Sequence, residues 1–225
     1  MRIPLWKRWL SYLWDFEIDA RSSEINQELY VVLCRGQLQL NTDKVVYSHE
    51  LKYYNFAKLF NHKLDLNRLN GNKVLVLGLG LGSIIQILDQ IRPGYWDIVA
   101  VEIDEEVCAL ASEYTLSRVE SNLAIHMADA ASFVKLSEQN FDLICIDIFV
   151  DDTIPSSFQE LSFLRDIQNR LNDGGVVVYN TLASRKSDKA KSNQFFEETF
   201  TQVFPKGILV PSHRNYMLIN SKDLM

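Results

Sequence analysis

Three short apolar runs in this chain end in acids, and a fourth ends in a glycine-rich turn. Val74-Leu-Val-Leu77 leads into Gly78-Leu79-Gly80-Leu81-Gly82-Ser83, and Ile98-Val-Ala-Val101 leads into Glu102-Ile103-Asp104. Leu123 to Met127 is followed by Asp129-Ala130, and Phe141-Asp-Leu-Ile-Cys-Ile146 by Asp147. Glycines let backbone approach a ligand closely, and the helix N-terminus after them offers free N–H groups. An acid about 20 residues beyond such a loop suits ribose hydroxyls. An acid after the third run can accept from an exocyclic amine such as that of adenine. The pattern predicts a nucleoside site at Gly78, Leu79, Gly80, Gly82, Glu102, Ile103, Asp129 and Ala130. Asp104 reads as a helix cap. Asp147, ending an apolar run, points into the crevice where a reacting group would lie.

These runs alternate with helical segments. Ser83 to Ile91 is stopped by Pro93-Gly94, and Asp104 opens a helix to Tyr114. Another helix starts at Ala130. Phe158 to Leu171 forms one more, ended by Asn172-Asp-Gly-Gly175, and Lys189 to Phe204 follows Val176-Val-Val-Tyr179. Five such alternations predict an open parallel sheet with helices on both faces. Ile208-Leu-Val210 and Tyr216-Met-Leu-Ile219 are joined by only five residues. A parallel crossover needs about a dozen, so this pair is expected as an antiparallel hairpin.

Upstream, Leu29 to Cys34, Gln37 to Leu40 and Val45 to Tyr47 read as a small antiparallel meander. His49 to His62 reads as a helix. The expected organisation is an amphipathic helix at 1–20, a meander plus helix at 21–70, and a nucleoside-binding domain at 71–225. In Met1 to Phe16, Arg2, Lys7 and Arg8 accompany Trp6, Trp9, Leu10, Leu13 and Trp14. Such a helix can lie on a membrane surface, or dock on the protein's own core or a dimer partner. Docking on protein is the expected arrangement, because the stretch is short and carries only three basic residues.

The composition sets further bounds. Across 225 residues, 47% are hydrophobic and 23% charged, which excludes disorder, collagen-like repeats and a coiled-coil rod. A net charge of −6 argues against a nucleic-acid partner. Cys34, Cys108 and Cys145 are odd in number and far apart, so no metal knuckle or disulfide framework is expected, and a reducing cytoplasm is. No apolar run approaches the ~20 residues of a membrane-crossing helix, and the first residues lack a signal-peptide pattern.

The nucleoside could belong to NAD or to S-adenosylmethionine. A dinucleotide fingerprint wants its third glycine at Ser83, and this chain has it one position early, at Gly82. That shift and the terminal hairpin resemble class I methyltransferase-fold proteins, whose seventh strand is antiparallel. Three motifs narrow the resemblance: Val101-Glu-Ile-Asp104-Glu-Glu-Val107, His126-Met-Ala-Asp129-Ala130 and Phe141-Asp-Leu-Ile-Cys-Ile-Asp147 together resemble the spermidine synthase family. There the corresponding acids hold the ribose and adenine of decarboxylated S-adenosylmethionine. Leu38-Gln-Leu40-Asn41 stands for the family's Leu-x-Leu-Asp-Gly, and Glu50 and Tyr53 match its Glu-x-x-Tyr.

The resemblance implies an α/β fold, a Rossmann-like seven-stranded sheet with an antiparallel last strand, preceded by the small meander. It also implies a transferase that binds S-adenosylmethionine or its decarboxylated form, without metal, and passes an aminopropyl group to a small amine. Asp147 would orient the amine and take its proton, with Glu50, Tyr53, Asp151 and Asp152 on the acceptor side. A homodimer is a possible assembly. Departures keep two alternatives open, a small-molecule methyltransferase and a non-catalytic nucleoside-binding protein. Asp147-Ile-Phe-Val-Asp151-Asp152-Thr-Ile-Pro155 replaces the family's Asp-Ser-x-Asp-Pro-x-Gly-Pro, with the second acid displaced by one residue and the Gly-Pro gone. Val45 stands where a glutamine is expected. This version, including Asn180 after the fifth strand, resembles spermidine-synthase-like domains of unassigned activity.

Overall fold

The computed structural model describes residues 3–42, 46–223 and 225. Arg2 and Val45, both used in the sequence reading, lie outside the described residues. The chain opens with α1 (Leu5–Leu10), followed by β1 (Phe16–Arg21), β2 (Leu29–Cys34), β3 (Gln37–Asn41) and β4 (Val46–His49). These four strands form one antiparallel sheet in sequence order. β2 alternates buried and half-buried residues, so Leu29, Val31 and Leu33 share one face. With Leu38 and Leu40 they pack on Val107, Leu110 and Tyr114 of α4 (Glu105–Tyr114). Arg21 ties β1 to the same helix through Glu113 at 2.7 Å and Glu106 at 3.4 Å.

Two expectations change at this end. The N-terminal helix, expected over 1–20, is only six residues long, and Phe16–Arg21 is a strand. Nor does its aromatic face pack on this chain's own core, one of the two docking arrangements expected: Trp6, Trp9 and Trp14 are 64%, 71% and 58% exposed. No residue of α1 itself is buried. Acrylamide should therefore quench most of the tryptophan emission of the monomer and spare Trp96, which is 1% exposed. If emission is uniformly blue-shifted and protected in a demonstrably monomeric sample, the N-terminal segment is packed differently. No helix among the described residues is long and apolar enough to cross a membrane.

The helix expected over 49–62 is interrupted. A single 3₁₀ turn, Glu50–Lys52, precedes α2 (Tyr54–His62), with Tyr53 between them at φ −73° and ψ 78°. Phe56, Leu59 and Phe60 of α2 share one core with Val74, Val76 and Ile84.

The larger sheet contains β5 (Lys73–Leu77), β6 (Asp97–Glu102), β7 (Asn122–Met127), β8 (Phe141–Ile146), β9 (Leu171–Leu182), β10 (Ile208–Ser212) and β11 (Asn215–Ile219). Its order is β10-β11-β9-β8-β5-β6-β7. The pairs β5/β6, β6/β7, β5/β8 and β8/β9 are parallel, and β11 runs antiparallel to β9 and also to β10, the latter as the short connection requires. Alternate residues of β5 serve opposite faces. Val74 and Val76 pack on α3 (Ser83–Ile91), whereas Leu75 and Leu77 meet Val134 of α5 (Ala130–Leu136) and Leu164 and Ile167 of α6 (Leu161–Asn169). Each fully buried Leu, Ile or Val contributes about 1.5–3 kcal/mol relative to exposure. A final helix, α7 (Lys186–Phe195), runs on through a π-helical turn, Phe196–Phe200. The sheet's order reverses between β5 and β8, and open α/β sheets bind ligands beyond the strand ends at such a point.

Candidate functional site

Gly78 follows β5 and Asp147 follows β8, so both stand at this switch point. A cavity of about 270 Å³ opens there. Its walls include Gly78, Leu79 and Gly80 of the first loop, Glu102 and Ile103 after β6, Asp129 and Ala130 after β7, and Asp147 after β8. Gly78 has φ +88°, and a Cβ there would lie 2.2 Å from the Asp147 carbonyl oxygen. Two strand ends can approach this closely only through glycine.

Gly82 has another task. It precedes α3 at φ +74°, and a Cβ on it would meet Leu116 at 2.4 Å. The structure does not bring it to the cavity wall; there it packs the loop against the domain.

Glu102 braces the glycine loop from below. Its Oε2 accepts from Leu79 N at 3.0 Å, and its Oε1 from Ile103 N at 2.9 Å and Asp104 N at 3.1 Å. Burial pushes its carboxyl above the usual value, against the pull of those three donors. A carboxylate has about four lone-pair sites, so capacity for a ribose hydroxyl remains. Glu102→Ala is expected to weaken nucleoside binding by about 1.5–3 kcal/mol, the worth of a hydrogen bond to a charged group. Unchanged affinity by calorimetry in a folded variant would remove it as ribose ligand.

Asp129 caps α5, accepting from Ser132 N at 2.8 Å, while lining the cavity. Asp104 is a cap, as expected, accepting from Glu106 N at 2.9 Å. It does more: Ser23 Oγ and Asn26 Nδ2 donate to its other oxygen at 2.5 and 2.6 Å. Those bonds hold the segment between β1 and β2 over the site, where Ile25 and Asn26 join the cavity wall.

At the other end, Asp147 Oδ1 accepts from Tyr53 Oη at 3.0 Å and Asn180 Nδ2 at 2.8 Å. Among the described residues, nothing donates to its Oδ2. Asn180 is 1% exposed, and its Oδ1 accepts from Asn215 Nδ2 on β11 at 2.8 Å. That bond turns the Asn180 amide so that its N–H groups face Asp147 and Tyr53. Burial pushes the Asp147 carboxyl up to about 6, and its two donors restrain the rise. Burial and the adjacent carboxylate hold the Tyr53 phenol well above its ordinary value, so it remains a donor.

Three residues expected on the acceptor side are not brought to the cavity. Glu50 is 5% exposed, clamped by Arg8 at 3.1 Å and by Leu38 N at 2.8 Å, so it ties α1 to β3. Asp152 faces outward to Arg185 at 3.3 Å. Asp151 lies beside it in a turn at φ +52°, away from the cavity wall. Ile25, Asn26 and Ser48 line the cavity without a local signal in the sequence, because long-range pairing places them. Asn215 carried a weak signal, a polar residue opening an apolar strand. Among the described residues, no group of three His, Cys, Asp or Glu converges to hold a metal.

Acids at successive strand ends around a glycine turn, on a sheet closed by an antiparallel seventh strand, define a class I methyltransferase-type domain. Human methyltransferase-like protein 13, solved with SAH, superposes with a TM-score of 0.56 and 24% identity over 67% of this chain and 72% of that one. Spermidine synthase from Thermotoga maritima superposes more fully, with a TM-score of 0.71 and 17% identity over 93% of this chain and 74% of that one. The chain belongs to the spermine/spermidine synthase family, whose domain matches residues 56–222. A polyamine aminopropyltransferase of Vibrio vulnificus is 31% identical over 73% of this chain and 54% of its own length. A probable polyamine aminopropyl transferase of Bifidobacterium longum is 30% identical over 61% of this chain and 30% of its own length. The chain thus spans about a third to a half of these relatives.

Proposed function

We propose that this protein is a transferase that passes the aminopropyl group of decarboxylated S-adenosylmethionine to a small amine. The observation that carries the reading is Asp147. It is the carboxylate at the switch point, held by Tyr53 and Asn180 through Oδ1, on the wall of a cavity that Glu102, Asp129 and the glycine loop also line. Glu102 would hold the ribose, Asp129 the adenine amine, and Ile103 and Ala130 the ring faces. Gly78, Leu79 and Gly80 give backbone access. A reducing, cytoplasmic setting goes with the three free thiols of Cys34, Cys108 and Cys145.

An amine is protonated at neutral pH and cannot attack until it loses that proton. Asp147 Oδ2 takes the proton and aims the nitrogen lone pair. When bound, the donor supplies a sulfonium: the C–N bond forms as C–S breaks, and the electron pair stays on sulfur as a neutral thioether. One proton leaves to solvent through Asp147 per turnover. Tyr53 and Asn180 keep the carboxylate oriented, and positioning of this kind supplies much of the rate.

Decarboxylated and ordinary S-adenosylmethionine separate the readings. Among the described residues, three carboxylates and no basic side chain line the cavity, which suits a donor tail ending in an ammonium. At 100 times its dissociation constant, the decarboxylated form should add about 2.7 kcal/mol of stability. A response to S-adenosylmethionine alone would move the assignment to methyl transfer. No response to either would remove the nucleoside site.

A further inference from the structure

Resting on that reading, we infer that Asn215 is a positioning residue of the reaction: it holds the Asn180 amide so that both of its N–H groups stay on Asp147 and Tyr53 throughout turnover. β11 pairs with β9 so that Asn215 lies opposite Leu182, and Met217 opposite Asn180. Residues two apart on a strand share a face, so Asn215 stands diagonally across from Asn180. The bond from Asn215 Nδ2 to Asn180 Oδ1, at 2.8 Å, spans that diagonal. Neighbouring bonds hold the two strands in register. Thr181 Oγ1 donates to Tyr216 O at 3.1 Å, and Ala183 N to Arg214 O at 2.8 Å. On its other side Asn180 Nδ2 donates to Asp147 Oδ1 at 2.8 Å and to Tyr53 Oη at 3.3 Å.

An amide has a donor end and an acceptor end of nearly the same shape. While Asp147 is ionised, the carboxylate itself selects the donor end. Once it has taken the acceptor's proton, the carboxyl can donate as well as accept, and that selection lapses. Turned end for end, the Asn180 carbonyl would accept from the protonated carboxyl and keep it an acid. Asn215 opposes the turn, because the turned amide would set donor against donor across the same 2.8 Å. Asp147 is thereby returned to the form that accepts a proton. Among the described residues, the titratable groups that act on Asp147 are the Tyr53 phenol and the Cys145 thiol of β8, both held neutral by burial. Glu102 and Asp129 line the same cavity from the ends of β6 and β7. On the β9 and β11 side stand the two neutral amides.

Asn215→Ala and the similarly shaped Asn215→Leu test this in the full chain. Both remove the N–H donor without adding a charge, at a half-buried position that opens a short strand. The Asp147 carboxyl is followed by carbon-13 NMR in the ligand-free protein, its signal identified by its absence from Asp147→Asn. Its midpoint, about 6 in the wild type, should rise in both variants by at least about 0.5 pH, roughly a threefold change in proton affinity. The acidic limb of turnover with decarboxylated S-adenosylmethionine and 1,4-diaminobutane should move by the same amount, with the donor KM unchanged. An unmoved or lowered midpoint in a folded variant overturns the inference and leaves the transferase reading standing. Asn215 would then only join β9 to β11, a role that lowers the denaturation midpoint without touching the titration. Wild-type protein that turns over no amine removes the transferase reading, and the inference with it, whatever the titration shows.

Discussion

Asp147→Asn should lower turnover by about 10²–10⁴-fold, the usual contribution of a positioned general base, while nucleoside affinity stays nearly unchanged. The amide keeps the shape and the Oδ1 acceptor, so the bonds from Tyr53 at 3.0 Å and Asn180 at 2.8 Å survive. What is lost is the capacity to take a proton at Oδ2. With the carboxyl held at about 6, wild-type turnover should rise with pH through that value as the base ionises. The variant should lose that limb of the profile. A variant turning over at the wild-type rate would remove Asp147 from the mechanism.

The same carboxylate makes a second, opposite statement about stability. Its folded-state value is raised from 3.8 to about 6, so folding favours the protonated form. The associated stability is fully present below 3.8 and is lost as pH rises through about 6. At neutral pH the ligand-free protein therefore carries a cost of about 2–3 kcal/mol. Asp147→Asn should remove that cost, leaving the variant more stable than wild type above pH 6, with the gap closing in acid. Equal stability at all pH values would mean that the carboxylate is well solvated.

Gly78→Ala should cost about 3–5 kcal/mol and abolish nucleoside binding. A backbone at φ +88° is strained for alanine by about 1–3 kcal/mol. The added Cβ also meets the Asp147 carbonyl oxygen at 2.2 Å and its carbon at 2.9 Å. Neither atom can yield freely, because Gly78 N donates to Val101 O at 3.0 Å and Asp147 N to Leu77 O at 2.8 Å. Relief must come from parting the ends of β5 and β8, the two strands that carry the site. Denaturant titration reads the loss of stability, and calorimetry the loss of binding. A variant within about 1 kcal/mol of wild type would show that the strand ends part easily.

The large sheet and the acids that line the cavity at its strand ends were legible in the chain. Val74–Leu77 of β5 and Ile98–Val101 of β6 are uninterrupted apolar runs, because both faces of these central strands are buried, and their ends are marked by Gly78 and Glu102. The short connection between the last two strands, His213-Arg214 in the structure, admitted only a hairpin. Glu102, Asp129 and Asp147 reached the cavity because strand-end position is a local property. Phe16 to Arg21 alternates apolar and polar residues, and pairing with β2 makes it a strand.

The surroundings of Asp147 were set by long-range packing. Glu50 and Tyr53 are three residues apart, and nothing in their spacing says that one is clamped by Arg8 while the other reaches Asp147. The break before α2 separates them. Its geometry follows from packing Phe56, Leu59 and Phe60 into the core, which overrides the helical periodicity of the segment. Asp151 and Asp152 show the same limit, since a turn at φ +52° carries them away from the site their chain position suggested. Asn180 and Asn215 meet because an antiparallel strand is inserted beside β9, and Asn26 because a buried helix cap holds its loop. Each of these contacts joins residues distant in sequence, so burial and pairing across the whole domain fix them, and local pattern does not.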